Sequence, residues 1–242
     1  MPMKSRARTA ANRFVQATTV SIACWSLAGV LPALAQTQGG SNVADDQKAS
    51  LSKGPKLSLG SESSGIWNST VGNGFKPGAL EIGGALALGI GMRVLLSERA
   101  HDLALAKVHF GWMFTDVQAE DKWYRGNWEL LGEIFGGFQY QPDVDYVVGI
   151  GPMLRYNLAT RTPWVPFLNV GGGLSATSIR DSDLSTTFEY QLQGGGGTHY
   201  FVRENVALTL EYRFLHISNA GIKYPNLGVN TSVIYLGVSW FF

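Results

Sequence analysis

His216 and Ser218 stand two residues apart in Phe214-Leu215-His216-Ile217-Ser218, and Asn230 follows a short Gly- and Asn-containing segment later. On a β-strand, residues i and i+2 project from the same face, so the imidazole and the hydroxyl are neighbours by geometry alone. A base beside a hydroxyl is the minimum arrangement that makes serine a nucleophile near neutral pH. Such a base needs a third group to orient it, usually a carboxylate but sometimes an amide. Asn230 opens the last alternating segment in the same even phase, across a hairpin from His216, and is the candidate for that role. Asn219, Ala220, Gly221 and Asn226 lie in the connecting segment, where backbone N–H groups or side-chain amides could hold a developing oxyanion. The chemistry this set offers is ester hydrolysis through an acyl-enzyme, with no cofactor and no metal. The alternative at this point is that the strand has ended and that both residues belong to a wet loop.

What positions these residues is a period of two that holds one phase along the chain. It marks eight segments, at 80–92, 104–114, 128–140, 146–156, 164–174, 188–200, 208–214 and 234–242, with Gly194 to Gly197 blurring the sixth. Even positions are aliphatic or aromatic, as in Leu208, Leu210, Tyr212 and Phe214. Odd positions carry Glu81, Lys107, His109, Glu129, Glu133, Arg155, Glu189, His199, Glu211 and Arg213. Charges of both signs on one face against a greasy opposite face indicate a polar interior and a lipid-facing exterior. A soluble sandwich also alternates, but its strands are shorter than these. Trp and Tyr cluster at segment ends as interfacial girdles do, and the sequence stops on the aromatic Phe242. The fold expected is therefore all-β: an eight-stranded antiparallel up-and-down outer-membrane β-barrel. Eight strands leave room only for side chains, so a pore is not expected and the inward charges should pair. His109 and His199 are expected to be hydrogen-bonding residues of that interior rather than metal ligands.

The remaining features agree with export. Lys4, Arg6, Arg8 and Arg13 precede a mostly apolar run that ends in Ala33-Leu34-Ala35, which reads as a signal peptide over 1–35. The single cysteine, Cys24, lies in that run, so the chain after Ala35 has no thiol chemistry. Residues 36–65 are polar and aperiodic and are expected to form a flexible periplasmic leader, with the barrel occupying 66–242. Beyond residue 35 there are 15 basic and 18 acidic side chains, a net charge of −3 and the wrong sign for a nucleic-acid partner. No later stretch approaches the roughly 18 apolar residues of a membrane helix, which leaves the closed barrel as the membrane option.

With the N-terminus periplasmic, the seventh strand ends at the cell surface. His216 and Ser218 then face outward near the outer-leaflet interface, where polar residues are functional candidates by default. The run His216-x-Ser218-Asn219-Ala220-Gly221, followed by Pro225-Asn226-x-Gly228 and a final strand, resembles the lipid A 3-O-deacylases. The likeness extends to Pro152-Met153-Leu154-Arg155-Tyr156 and Phe167-Leu168-Asn169-Val170-Gly171. The resemblance implies an outer-membrane serine esterase that removes the 3-linked acyl chain of lipid A. It implies Ser218 as nucleophile, His216 as general base, and Asn219 and Asn226 as oxyanion candidates. The family's catalytic glutamate is replaced here by Asn230, and no acid follows His216. An outer-membrane phospholipase with a Ser-His-Asn triad and a non-catalytic structural barrel are the competing readings. Implied partners are lipid A within lipopolysaccharide, outer-membrane lipid, the barrel assembly machinery and, through outward aromatics, a second copy of the chain.

Overall fold

The computed structural model describes residues 77–160 and 162–242. The expected signal peptide, the leader and the start of the expected barrel segment at 66–76 lie outside the described residues. The described chain forms eight strands: β1 (Leu80–Gly91), β2 (Asp102–Met113), β3 (Gly126–Gln141), β4 (Asp145–Leu158), β5 (Trp164–Thr177), β6 (Phe188–Arg203), β7 (Val206–Ser218) and β8 (Val229–Phe241). Each pairs with its sequence neighbour and β1 pairs antiparallel with β8, which closes the barrel. Closure removes the unpaired edges that hydrocarbon could not satisfy.

The two phases occupy the two faces as their chemistry requires. Leu86, Ile90, Leu168 and Leu236 are each at least 64% exposed on the outside, a surface stable only against hydrocarbon. Trp128 stacks near Tyr156, Trp164 near Tyr200 and Trp240 near Phe242 at the rim that also holds the start of β1. Phe188 and Tyr190 form part of the belt at the opposite rim. The glycine run that blurs the alternation lies within an unbroken β6, and at Gly195, Gly196 and Gly197 neighbouring backbone leaves no space for a side chain. A Cβ on Gly195 would come within 1.9 Å of the Tyr212 carbonyl oxygen.

The inward charges are buried, and most are paired; Glu189 instead accepts from the Thr186 hydroxyl at 2.7 Å. Lys107 Nζ bridges Glu133 at 3.1 Å and Glu211 at 2.6 Å, while the Arg213 guanidinium reaches Glu133 at 2.6 and 2.8 Å and Glu211 at 2.5 Å. Both cations lie over the Tyr235 ring. Nearer the rim that holds the start of β1, Arg155 Nη1 meets Glu81 at 2.6 Å and Glu129 at 3.4 Å, and His109 Nε2 meets Glu81 at 2.8 Å. His199 Nδ1 meets the Thr209 hydroxyl at 2.8 Å. Removing one partner from such a network strands the others in a dry interior. Arg213→Met is therefore expected to cost about 3–5 kcal/mol of barrel stability, read as a shift of the urea midpoint in detergent micelles.

Strands run from 12 to 16 residues, and all but β1 are longer than the apolar alternation alone suggests. The extension matters most at the seventh hairpin. β7 continues to Ser218 and β8 begins at Val229, so His216 is a strand residue placed directly opposite Asn230. The wet-loop alternative for His216 and Ser218 does not hold, because main-chain pairing carries β7 past Phe214, the last apolar residue of its outward face, and starts β8 before Ile234, the first of its own.

Candidate active site

His216, Ser218 and Asn230 converge on the outer wall at the rim opposite the start of β1 and the end of β8. Register does most of this: His216 and Asn230 are cross-strand partners, and Ser218 is two residues on along β7. His216 Nδ1 lies 2.7 Å from Asn230 Oδ1, and His216 Nε2 lies 3.0 Å from Ser218 Oγ. The Asn230 Nδ2 donates to the Val94 carbonyl at 2.8 Å, so the oxygen end of the amide is the one turned toward His216. The reverse orientation would set two carbonyl oxygens against each other. In the neutral imidazole, His216 Nδ1–H therefore donates to Asn230, and Nε2 is the nitrogen that accepts from the Ser218 hydroxyl. The tautomer is the one a general base requires.

Glycine geometry sets the imidazole's floor. Gly228 has φ +87°, and a Cβ there would lie 2.7 Å from His216 Cε1. The ring thus rests on bare backbone at the point where the hairpin turns into β8.

The four oxyanion candidates separate into two kinds. The Asn219 backbone N–H donates to Asn226 Oδ1 at 2.8 Å, and its side-chain nitrogen donates to Thr186 Oγ1 and the Lys223 carbonyl. The Gly221 N–H donates to Asn219 Oδ1 at 3.0 Å. These donors hold the loop in shape and are committed to it. The Ala220 N–H and Asn226 Nδ2 have no acceptor among the described residues. Ala220 is exposed and takes a left-handed φ of 54°, and Asn226 is oriented by the bond its own oxygen accepts.

Two neighbouring loops complete the surroundings. Turn 94–97, between β1 and β2, closes with Ser97 N–H donating to the Val94 carbonyl at 3.1 Å. Leu95 and Leu96 at its centre have φ of 51° and 78°, values that cost a non-glycine residue about 1–3 kcal/mol each and persist only when the surroundings enforce them. Asp183, between β5 and β6, provides that enforcement. Its carboxylate accepts from Glu98 N at 2.8 Å, Arg99 N at 2.9 Å, Ser97 Oγ at 2.9 Å and His101 Nε2 at 3.0 Å. Burial alone would raise this carboxyl, but the Glu98 and Arg99 N–H groups, with His101 and Ser97, outweigh it and hold it below its ordinary range. The Asp183 backbone carbonyl also accepts from Leu227 N and Gly228 N, at 2.9 and 3.0 Å. His101, Asp181 and Asp183 bring three possible metal-ligand atoms within 4.8 Å. The carboxylate of Asp183 is saturated by protein donors and both His101 nitrogens are engaged, so this cluster is a hydrogen-bonded latch between loops. Nothing in the local sequence around Val94 or Asp183 announces these contacts, since each joins a side chain to backbone or side-chain atoms more than 80 residues away. Gly228, as a glycine within the hairpin motif, was the one visible signal.

A family model for lipid A 3-O-deacylase (PagL) matches residues 106–239, more than half of the chain, including His216, Ser218 and Asn230. The chain belongs to the PagL family. Its barrel is similar to the crystal structure of Neisserial surface protein A, at 18% identity and a TM-score of 0.50, covering 68% of this chain and 99% of that one. The crystal structure of the outer membrane enzyme PagL matches at 17% identity and a TM-score of 0.46, covering 65% of this chain and 97% of that one. A comparison with curated proteins finds no match. Family and fold together place this PagL-family barrel in the bacterial outer membrane. That location gives the outward apolar wall its solvent and puts the site beside lipid.

Proposed function

We propose that this PagL-family barrel is a serine esterase that removes the 3-linked acyl chain of lipid A from within the outer leaflet. The observation that carries the reading is the continuous relay from Asn230 Oδ1 through His216 to Ser218 Oγ on the lipid-facing wall. Ser218 Oγ attacks the ester carbonyl while its proton passes to His216 Nε2. The tetrahedral oxyanion is received by the Ala220 N–H and Asn226 Nδ2. Collapse breaks the bond to the sugar oxygen, which takes the proton back from His216. Water, deprotonated by the same nitrogen, then releases the fatty acid and restores the serine. Asn230 keeps the imidazole in the required tautomer but, being neutral, does not offset the imidazolium charge. The rate should therefore lie below that of a site with a carboxylate in third place.

Mass spectrometry of lipid A from cells expressing the chain tests this. Loss of one hydroxyacyl chain is the expected result, and an unchanged spectrum with the folded barrel present would sink the assignment. The amide in third place also suits a phospholipase, so the purified barrel should be given phospholipid alone; release of fatty acid there, with lipid A untouched, would select that reading instead. Asn226→Leu is expected to lower kcat by about 10²–10³ by removing one oxyanion donor, with KM little changed. A kcat within twofold of the parent would remove Asn226 from that role.

A further inference from the structure

We infer that Asp183 is a positioning residue that fixes the orientation of the Asn230 amide, through turn 94–97, and thereby the tautomer of His216. The inference rests on the proposed reading of Ser218, His216 and Asn230 as a catalytic set, and it explains how that set can work with an amide.

A carboxylate has two equivalent oxygens and presents an acceptor to an imidazole whichever way it is turned. An amide presents an acceptor at one end and a donor at the other, so its orientation must be imposed. Here the imposing group is the Val94 carbonyl, which accepts from Asn230 Nδ2 at 2.8 Å. Val94 belongs to a turn whose two central residues, Leu95 and Leu96, sit at positive φ without being glycine. Such a turn holds only while something outside it holds its far end. Asp183 does so with four hydrogen bonds to Ser97, Glu98, Arg99 and His101, from a side chain that is fully buried. The same residue's backbone carbonyl accepts from Leu227 N and from the N–H of Gly228, the glycine that floors the His216 ring. One residue outside the triad thus reaches both the amide and the imidazole, the first by its side chain and the second by its backbone. Substituting the side chain releases only the first.

The test uses the full-length barrel refolded in detergent, with folding verified by heat-modifiable gel mobility. Two readouts are taken on each variant: the rate at which a fluorophosphonate labels Ser218, and the ¹⁵N shifts of His216, assigned by their loss in His216→Gln. The parent should show Nδ1 protonated and Nε2 free. Asp183→Asn replaces one acceptor oxygen with a donor facing donors. It should mix the two tautomers and slow labelling by about 10- to 100-fold, the scale of a small misplacement at a catalytic group. In an Asn230→Asp background, where either oxygen can serve, the same Asp183→Asn change should slow labelling by less than about threefold. An unchanged His216 tautomer in Asp183→Asn, or an equal loss in both backgrounds, would overturn the inference and leave Asp183 a general loop support. A parent whose tautomer is as stated but whose Ser218 is never labelled would overturn the esterase reading while leaving the positioning role standing.

Discussion

Ser218→Ala is expected to leave the barrel folded and to reduce lipid A deacylation by at least about 10³-fold. The physical reason is that Ser218 carries the hydroxyl that the His216 imidazole addresses, at 3.0 Å from Nε2, while the other ring nitrogen is held by Asn230. In hydrolases built this way, removing the nucleophile costs about as much as removing the whole set, because the members act as one unit. His216→Ala should therefore give a similar loss, and the double variant should be no worse than either single one. Folding should be indifferent, since Ser218 ends β7 on the outer wall and supports none of the buried ion pairs. The measurement is the ratio of deacylated to intact lipid A in outer membranes that contain equal amounts of heat-modifiable barrel. Deacylation by the alanine variant at a rate within tenfold of the parent would show that the reaction does not pass through this serine.

Asn230→Leu should cost about 10²–10⁴-fold in kcat, with KM nearly unchanged. Leucine is close in size, so the packing under turn 94–97 is largely kept. It offers no acceptor to His216 Nδ1–H and no donor to the Val94 carbonyl, which breaks the relay at both ends. The upper figure is the scale seen when a serine hydrolase's imidazole is held in the wrong tautomer. The lower one allows for a site whose third member is already neutral. KM should stay because Asn230 is fully buried beneath the β1–β2 loop and lies away from any approaching substrate. A loss confined to KM would mean that the residue shapes the binding surface instead of the base. Activity equal to the parent would remove Asn230 from the catalytic set and leave a Ser-His pair.

These expectations turn on contacts of unequal visibility. The barrel, its inward and outward faces and the adjacency of His216 to Ser218 were all legible in the residue order, because a period of two is a local property of an extended chain. It survives closure: the register shifts in β2–β3 and β6–β7 fall at strand ends, beside Asp102 and Phe201, so no internal slip reverses the faces. The pairing of Asn230 with His216 followed nearly as directly, since hairpin strands must meet.

Distance along the chain marks where legibility stops. The ends of β7 and β8 depended on main-chain hydrogen bonds that continue after the apolar alternation has finished. The four oxyanion candidates were equivalent as residue types, and only the folded loop committed Asn219 and Gly221 to holding its shape and left Ala220 and Asn226 with donors to spare. The turn of the Asn230 amide was decided 136 residues away, by a backbone carbonyl. That carbonyl's turn is anchored by the Asp183 carboxylate, some 85 residues further along, through the backbone N–H groups of Glu98 and Arg99 together with the Ser97 and His101 side chains. Side-chain chemistry and its spacing settled which groups face lipid and which pair could react. Three-dimensional closure of the outer loops decided how that pair is oriented, because backbone donors and acceptors carry no signature in the sequence until the fold brings them together.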